Sequence, residues 1–525
     1  MSSQKPKVVV IGLDGSSWDL VNLMMAEDKL PAIKKMQSTG MSSTLLSTHP
    51  AHSAPAWTSF ATGLYPTQHG CLDFLVVRND LTDVDIIDST KITSETIYEA
   101  MVRHGRKPIL INLPNTFPPK LKNDITITSL MTRGDRFIYP ESLTAKYPSL
   151  QKYRLSPDAK LRATNNFTPY VEDLCALEAD RIAAAKDLFQ HEDWDFFFYL
   201  SSGTDWVSHV VYDQALRNHY QPAWKMWELM DGFIGWVMEQ MDENTTLFVM
   251  SDHGFKVYDE IFYLNRWLEE EGYLATTSGS ASFQKSHTKL SREIESVQGK
   301  RKQIKVGKGV RRFLKSSKTL ERLAKWFYHR VVKRFAPVNV TIDLTLDLAK
   351  TKIGFPRGSM ASMLYVNDAG RFEHGIVPAE ERRAVRDEVM ARLKTVVDTV
   401  IPADELYGDA PLLPNSPDLF LSSKQYYLSG SLHSAALYEK NTKNYHDERG
   451  MFLAYGQQVD HRSLHTASIM QLAPTILQAM RLPQQAAHRG QPIDVFKPDS
   501  HLRTITKESA AEHHELNQLL TEIDL

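Results

Sequence analysis

The sequence predicts a doubly wound α/β fold, on three observations. The first is a series of short runs that are apolar throughout: Lys7–Leu13, Pro108–Asn112, Phe196–Leu200, Thr246–Met250 and Gly450–Tyr455. Runs of this length without alternation suit strands buried on both faces of a parallel sheet. The second is the set of helical-period stretches between them, notably Asp19–Met36, Val171–Phe189 and Ala223–Met241. Strand–helix alternation of this kind is the pattern of a parallel α/β sheet. The third is that acidic and histidine residues follow the strand ends, where ligands gather in open α/β sheets.

Taken in order, Lys7–Leu13 is the first strand and hands over to Asp14-Gly15, a turn-forming pair. Asp19–Met36 places Leu20, Leu23, Met24, Leu30, Ile33 and Met36 at helical spacing. The other runs and helices alternate up to Phe255. The stretch 278–340 then breaks the pattern. Between Lys285 and Arg334 it holds 17 Lys or Arg against 3 Glu, with Phe313, Leu320, Leu323, Phe327 and Val331 at helical spacing. It reads as a basic amphipathic helix in an insertion. Two roles are open to it. It can pack its apolar stripe on the main domain as a cap, or meet an anionic substrate, membrane surface or polymer. Beyond Val340, Ala379–Val397 and Thr466–Met480 read as helices, and His501–Leu525 as a polar peripheral helix. The expected organisation is a first core part over 1–277, the insertion over 278–340, a second core part over 341–498 and a tail over 499–525.

Length and composition agree with this. A chain of 525 residues, 42% hydrophobic and 24% charged, buries a core easily. Its formal net charge of −2 names no partner for the whole chain, and no nucleic-acid motif is present. Two cysteines, Cys71 and Cys175, are too few for a disulfide framework. No stretch approaches the roughly 20 apolar residues that span a bilayer, and no signal-peptide pattern precedes Lys7, so a cytoplasmic location is expected.

Five segments carry candidate chemistry. Asp14, directly after a buried strand, can hold a cation, or simply make the Asp-Gly turn. Ser53, ahead of a helix start, can present its hydroxyl to a substrate, or serve as an N-cap. Asp205 and His209, four apart, share one face of a helix and can grip one ion, or act separately as a cap and an unrelated histidine. Asp252 and His253, side by side after Thr246–Met250, can both face an ion only in a loop, which Gly254 permits. His446, before a strand, can close a second site or lie on a surface loop. His52, His433 and His465 are set aside as non-ligands.

The ordered set Asp14-Gly15, Ser53-Ala54-Pro55, Asp205…His209, Ser251-Asp252-His253-Gly254 and His446 resembles the alkaline phosphatase superfamily. Within it, the set is similar to the type I phosphodiesterase/nucleotide pyrophosphatase family, over roughly Val8 to Phe255 and again Thr351 to Phe496. The stretches 112–119, 264–268, 365–372 and 472–477 add to the likeness. The resemblance implies an alkaline-phosphatase-like three-layer sandwich with a mostly parallel central sheet and a smaller inserted cap region. It implies two divalent metal ions, with Zn²⁺ suiting the imidazole–carboxylate set and Mn²⁺ the alternative. Asp14, Ser53, Asp252 and His253 would hold one ion, and Asp205, His209 and His446 the other. Ser53, nine residues before Thr62, takes the family nucleophile's register in preference to Thr58. The implied activity is hydrolysis of phosphodiester or nucleotide pyrophosphate bonds through a phospho-serine intermediate.

Two departures from the resemblance narrow this. A formylglycine sulfatase needs Arg where Trp57 stands. The nucleotide pyrophosphatases carry a phosphate-binding Asn where Phe74 stands, which leaves backbone amides near Ser53, or Arg133, as candidate donors. The alternatives are a phosphoryl or phospho-alcohol transferase, and a non-catalytic protein that binds an anionic surface. The natural leaving group and the oligomeric state are not legible in the sequence.

Overall fold

The structure is a computed structural model, described over residues 5–162, 166–278 and 344–504, apart from 357, 409, 411, 433 and 435. The expected basic insertion from 279 onward, the end of the tail and His433 therefore lie outside the described residues. Thr276–Ser278 pairs antiparallel with Leu344–Leu346, so the chain leaves and rejoins the described body on neighbouring strands.

The predicted fold class holds. A nine-stranded sheet runs, from one edge, Arg462–Ser468, Met41–Leu46, Arg449–Tyr455, Thr245–Met250, Lys7–Leu13, Phe196–Ser201, Pro108–Ile111, Ile125–Ile127 and Ile138–Tyr139. Lys7–Leu13 is central and parallel to both neighbours. Arg449–Tyr455 runs antiparallel to both of its own, and Ile138–Tyr139 is antiparallel at the far edge. The apolar runs are explained by the two faces. Val9, Ile11 and Leu13 join one cluster with the helices Trp18–Ala26, Thr168–His191, Gly203–Arg217 and Gln221–Gln240. Val8 and Val10 join the other, with Ser53–Thr62, Ile97–Arg103 and Leu472–Ala479. Each such buried side chain is worth about 1.5–3 kcal/mol relative to exposure.

Three elements differ from the sequence expectation. Asp19–Met36 is two helices, Trp18–Ala26 and Pro31–Thr39, because Asp28 takes a left-handed φ of 54° and Pro31 starts a new helix. Thr466–Met480 is not one helix. Arg462–Ser468 is an edge strand parallel to Met41–Leu46, and the chain turns only at Ser468, whose hydroxyl accepts the Met470 N–H in a capping box with Gln471. The helix proper is Leu472–Ala479. Ala379–Val397 shrinks to a short 3₁₀ turn and the helix Arg382–Leu393.

Among the described residues, one sheet of three strands and one of four accompany the core, beside two-stranded pairs. Gly254–Tyr263 lies between Tyr426–Ser429 and Tyr438–Asp447. Ile353–Gly354, Met363–Val366, Leu419–Ser422 and Thr399–Pro402 form a four-stranded sheet with an apolar cluster of its own, which includes Leu264, Leu268, Leu364, Val389, Leu393 and Phe420.

Candidate active site

The site lies at the carboxyl ends of the central strands. Asp14 follows Lys7–Leu13 and is fixed from two sides: the Thr204 hydroxyl donates to its backbone carbonyl at 2.6 Å, and the Trp57 indole N–H to its Oδ2 at 3.3 Å. Gly15 takes a left-handed φ of +65° and donates its N–H to Asp252 Oδ1 at 3.1 Å. A Cβ there would stand 2.8 Å from the Phe255 ring and 3.3 Å from an Asp205 oxygen, so only glycine fits. The turn and the chemical role of Asp14-Gly15 thus coincide.

Ser53 opens the helix Ser53–Thr62, and the residue in the N-cap position is His52. The His52 side chain makes no capping bond. The Ser53 hydroxyl donates to Asp14 Oδ1 at 3.2 Å and lies 3.3 Å from His253 Nε2. Asp252 and His253 follow Thr245–Met250, both fully buried. Gly254 does not supply a positive φ to this loop; it begins a strand, and its missing side chain lets the Arg449 carbonyl approach.

The second group gathers beside the first. Asp205 and His209 share a face of Gly203–Arg217, with Nε2 3.4 Å from Oδ1. His446 stands within the strand Tyr438–Asp447, opposite Phe255, rather than on a loop. Its Nε2 is 3.1 Å from His209 Nε2 and 3.4 Å from Asp205 Oδ1. Its ring stacks on His253 at 3.8 Å. All seven predicted side chains therefore converge. Two buried triplets with mutually close ligand atoms stand out, Asp14–Asp252–His253 and Asp205–His253–His446.

The tautomers follow from the partners. His253 Nδ1 lies 3.0 Å from the Gly254 carbonyl and His446 Nδ1 3.1 Å from the Ala51 carbonyl. A carbonyl only accepts, so each Nδ1 carries the proton and each Nε2 turns a lone pair inward. Burial pushes Asp14 well above the usual carboxylate range, and Asp252 and Asp205 push it further. Burial opposes charge on Asp205 as well, but His209, His446 and His253 outweigh it and hold its carboxyl low. Burial likewise holds His209 and His446 below the usual histidine value. Asp205 Oδ1 and Asp252 Oδ2 are buried without a hydrogen-bond partner. Such orphaned, crowded carboxylate oxygens facing imidazole lone pairs suit cations.

One loop braces both helices of the site. Asn115 Nδ2 donates to Thr58 Oγ1 at 2.9 Å and lies 3.3 Å from the Ala54 carbonyl, both in the helix that Ser53 opens. Asn112 Nδ2 donates to the Leu200 carbonyl and Ser202 Oγ, each at 2.9 Å, at the entrance of the Asp205–His209 helix. Both asparagines are left-handed, Asn112 at φ 65° and Asn115 at φ 60°. The stretch 112–119 stood out in the sequence only as a likeness; asparagines flanking Leu-Pro after a strand are the signal that marks this brace.

Arg133 is committed to Asp88 at 3.2 Å. His465 is exposed on the edge strand and bonds Thr466, as befits a non-ligand. His52 belongs to neither triplet, but its ring packs 5.2 Å from Phe74 and 5.4 Å from His446, so it walls the site.

Residues 8–444 match the model of the type I phosphodiesterase/nucleotide pyrophosphatase family. The chain belongs to that family. It is a phosphoric ester hydrolase of the alkaline phosphatase superfamily. The family match stops two residues short of His446, which only the fold brings to the site. No curated protein matches the chain. Among solved structures it is similar to phosphonoacetate hydrolase from Sinorhizobium meliloti in complex with phosphonoformate. The TM-score is 0.53 and the identity 16%, over 91% of this chain and 96% of that one. It is also similar to murine ectonucleotide pyrophosphatase/phosphodiesterase 5 as an inactive variant with AMP, at a TM-score of 0.50 and 14% identity, with coverage of 91% and 96%. The family chain has no described helix long and apolar enough to cross a membrane.

Proposed function

We propose that this chain hydrolyses phosphodiester or nucleotide pyrophosphate bonds with Ser53 as nucleophile and two divalent cations in its site. The observation that carries this is the convergence of Asp14, Asp205, His209, Asp252, His253 and His446 around the Ser53 hydroxyl. Charge fits as well as donor type. Three buried carboxylates and a serine alkoxide balance two divalent cations, whereas without cations the two unpartnered carboxylate oxygens are unfavourable. Asp14, Ser53, Asp252 and His253 would hold one ion and Asp205, His209 and His446 the other. Zn²⁺ suits this mixed set, with Mn²⁺ the alternative. When bound, such ions lower the pKa of a coordinated hydroxyl and neutralise charge developing at phosphorus.

The chain's own groups supply the rest. Asp14 Oδ1 accepts a hydrogen bond from the Ser53 hydroxyl and orients its oxygen. Ser53 Oγ, its proton passing to solvent or to the departing oxygen, attacks phosphorus and displaces the alcohol or phosphate leaving group, giving a phospho-serine whose P–O bond water then cleaves. The backbone N–H groups of Ser53 and Ala54, in the first helical turn, have no intrahelical acceptor and face an anion favourably. They are the donors we assign to the phosphoryl oxygens, since Phe74 cannot donate and Arg133 is paired.

The test is Ser53→Ala with bis-p-nitrophenyl phosphate in metal-reconstituted protein. The variant is expected to lose at least about 10³-fold in kcat while still binding metal through the remaining ligands, since removing a nucleophile leaves only residual catalysis. Turnover undiminished in Ser53→Ala removes the serine from the mechanism.

A further inference from the structure

A cavity of about 400 Å³ is lined by His209 and by side chains of the three-stranded sheet. Its floor is one face of that sheet. Alternate residues of the three strands contribute: Tyr427 and Ser429, Ile261 and Tyr263, and Asn441, Lys443 and Tyr445. Side chains two apart share a face, and the register bulge between Tyr258 and Glu260 brings Ile261 and Tyr263 into line with the other two strands.

We propose that this cavity is the leaving-group subsite and that it takes an alcohol or phosphate bearing a flat ring and a second negative charge. The inference rests on the phosphate-ester reading above and extends it to substrate class. Displacement at phosphorus runs in line, so the departing oxygen lies opposite the attacking one. Ser53 sits against Asp14 and His253, and Asp205, His209 and His446 lie beside them. A group leaving past that second cluster enters the cavity whose nearest wall is His209.

The lining sets the chemistry. Tyr445 stacks on His446 at 4.5 Å and meets His209 edge-on at 5.7 Å; Tyr427 meets Tyr445 edge-on at 4.9 Å. An aromatic wall therefore leads outward from the site, and such walls favour planar rings. Two polar groups are already spent: Glu439 accepts the Tyr263 hydroxyl at 2.5 Å and the Asn441 amide at 3.2 Å. Asn444 is likewise held by Asp213 at 2.9 Å. Lys443 is the cation of the lining, exposed and, among the described residues, with no carboxylate in ion-pair range. It recognises a negative charge on the ring.

The experiment uses the metal-reconstituted full chain and two methyl aryl phosphodiesters. Their leaving groups are p-nitrophenol and a carboxy-substituted p-nitrophenol. Lys443→Glu is exposed and should fold. It is expected to lower kcat/KM for the carboxylated ester about tenfold more than for the uncharged one, the size of one modest charge contact. Tyr427→Ala is expected to raise KM for both. Binding of the free carboxylated nitrophenol, by equilibrium dialysis, should weaken in Lys443→Glu and persist in Ser53→Ala. Equal effects of Lys443→Glu on both esters, or unchanged binding of the alcohol, overturn the subsite. If neither ester turns over but the alcohol binds in a Lys443-dependent way, the subsite stands and the hydrolase reading falls.

Discussion

His69 shows how one residue links burial to pH. Its Nδ1 accepts the Cys71 N–H at 3.1 Å, so its Nε2 carries the proton and donates to Ser59 Oγ at 2.9 Å. Both nitrogens are thus committed to the neutral ring, and burial lowers the pKa to about 3. Above the unfolded value near 6.5 the ring is neutral in both states, and folding loses nothing. Below it, the unfolded chain takes up a proton that the folded chain refuses, so stability declines as pH falls from about 6.5 toward 3. At pH 5 the loss from this group is about 2 kcal/mol. His69→Asn is expected to be less stable at pH 7.5 but to show a shallower decline between pH 7.5 and 5 in chemical denaturation. An unchanged slope contradicts the assignment. Gly15 makes a parallel point, because its positive φ and crowded surroundings explain why the carboxylate before it is followed by glycine.

At the scale of elements, the site depends on how two helices are aimed. Asn115 holds the Ser53 helix and Asn112 the start of the Asp205–His209 helix. Each substitution should therefore act on its own half of the site. Asn115→Gly keeps the left-handed backbone but removes the amide, and is expected to lower kcat about tenfold with little change in metal requirement, since small misplacements of a nucleophile are costly. Asn112→Gly is expected instead to raise the metal concentration needed for half-maximal activity. Titrating both variants with Zn²⁺ separates the two effects. Identical profiles count against a divided brace. The edge strand Arg462–Ser468 illustrates the other side of element formation. Its helical-looking composition yields to pairing with Met41–Leu46, a long-range partner that local spacing does not reveal.

For the whole molecule, the central sheet sets three buried carboxylates against each other. Asp14, Asp205 and Asp252 are at most 7% exposed, and Asp14 is raised first by its burial and then by Asp252 and Asp205. Cations that bind only the folded state add stability by mass action, about 2.7 kcal/mol at a hundredfold excess over Kd. Chelation is therefore expected to lower the melting temperature by several degrees, and Zn²⁺ or Mn²⁺ to restore it. His446→Ala should shrink that metal-dependent shift. A melting temperature indifferent to chelator and metal speaks against resident ions.

Much of the core was legible from the chain itself. Lys7–Leu13 and Thr246–Met250 read as strands because continuous apolar runs have one stable place, between two helical layers. Six of the seven predicted site residues stood near the ends of such runs, Ser53 stood ahead of a helix, and their order carried the family resemblance. Tyr438–Asp447 was not legible as a strand, because most of it is exposed and no apolar period marks it. Nor could spacing show that His446 stacks on His253, that Asn112 and Asn115 divide the brace, or that three tyrosines share one face. Apolar pattern is a local property and is written in the sequence. Which polar groups meet is fixed by long-range pairing and register, and only the folded chain decides it.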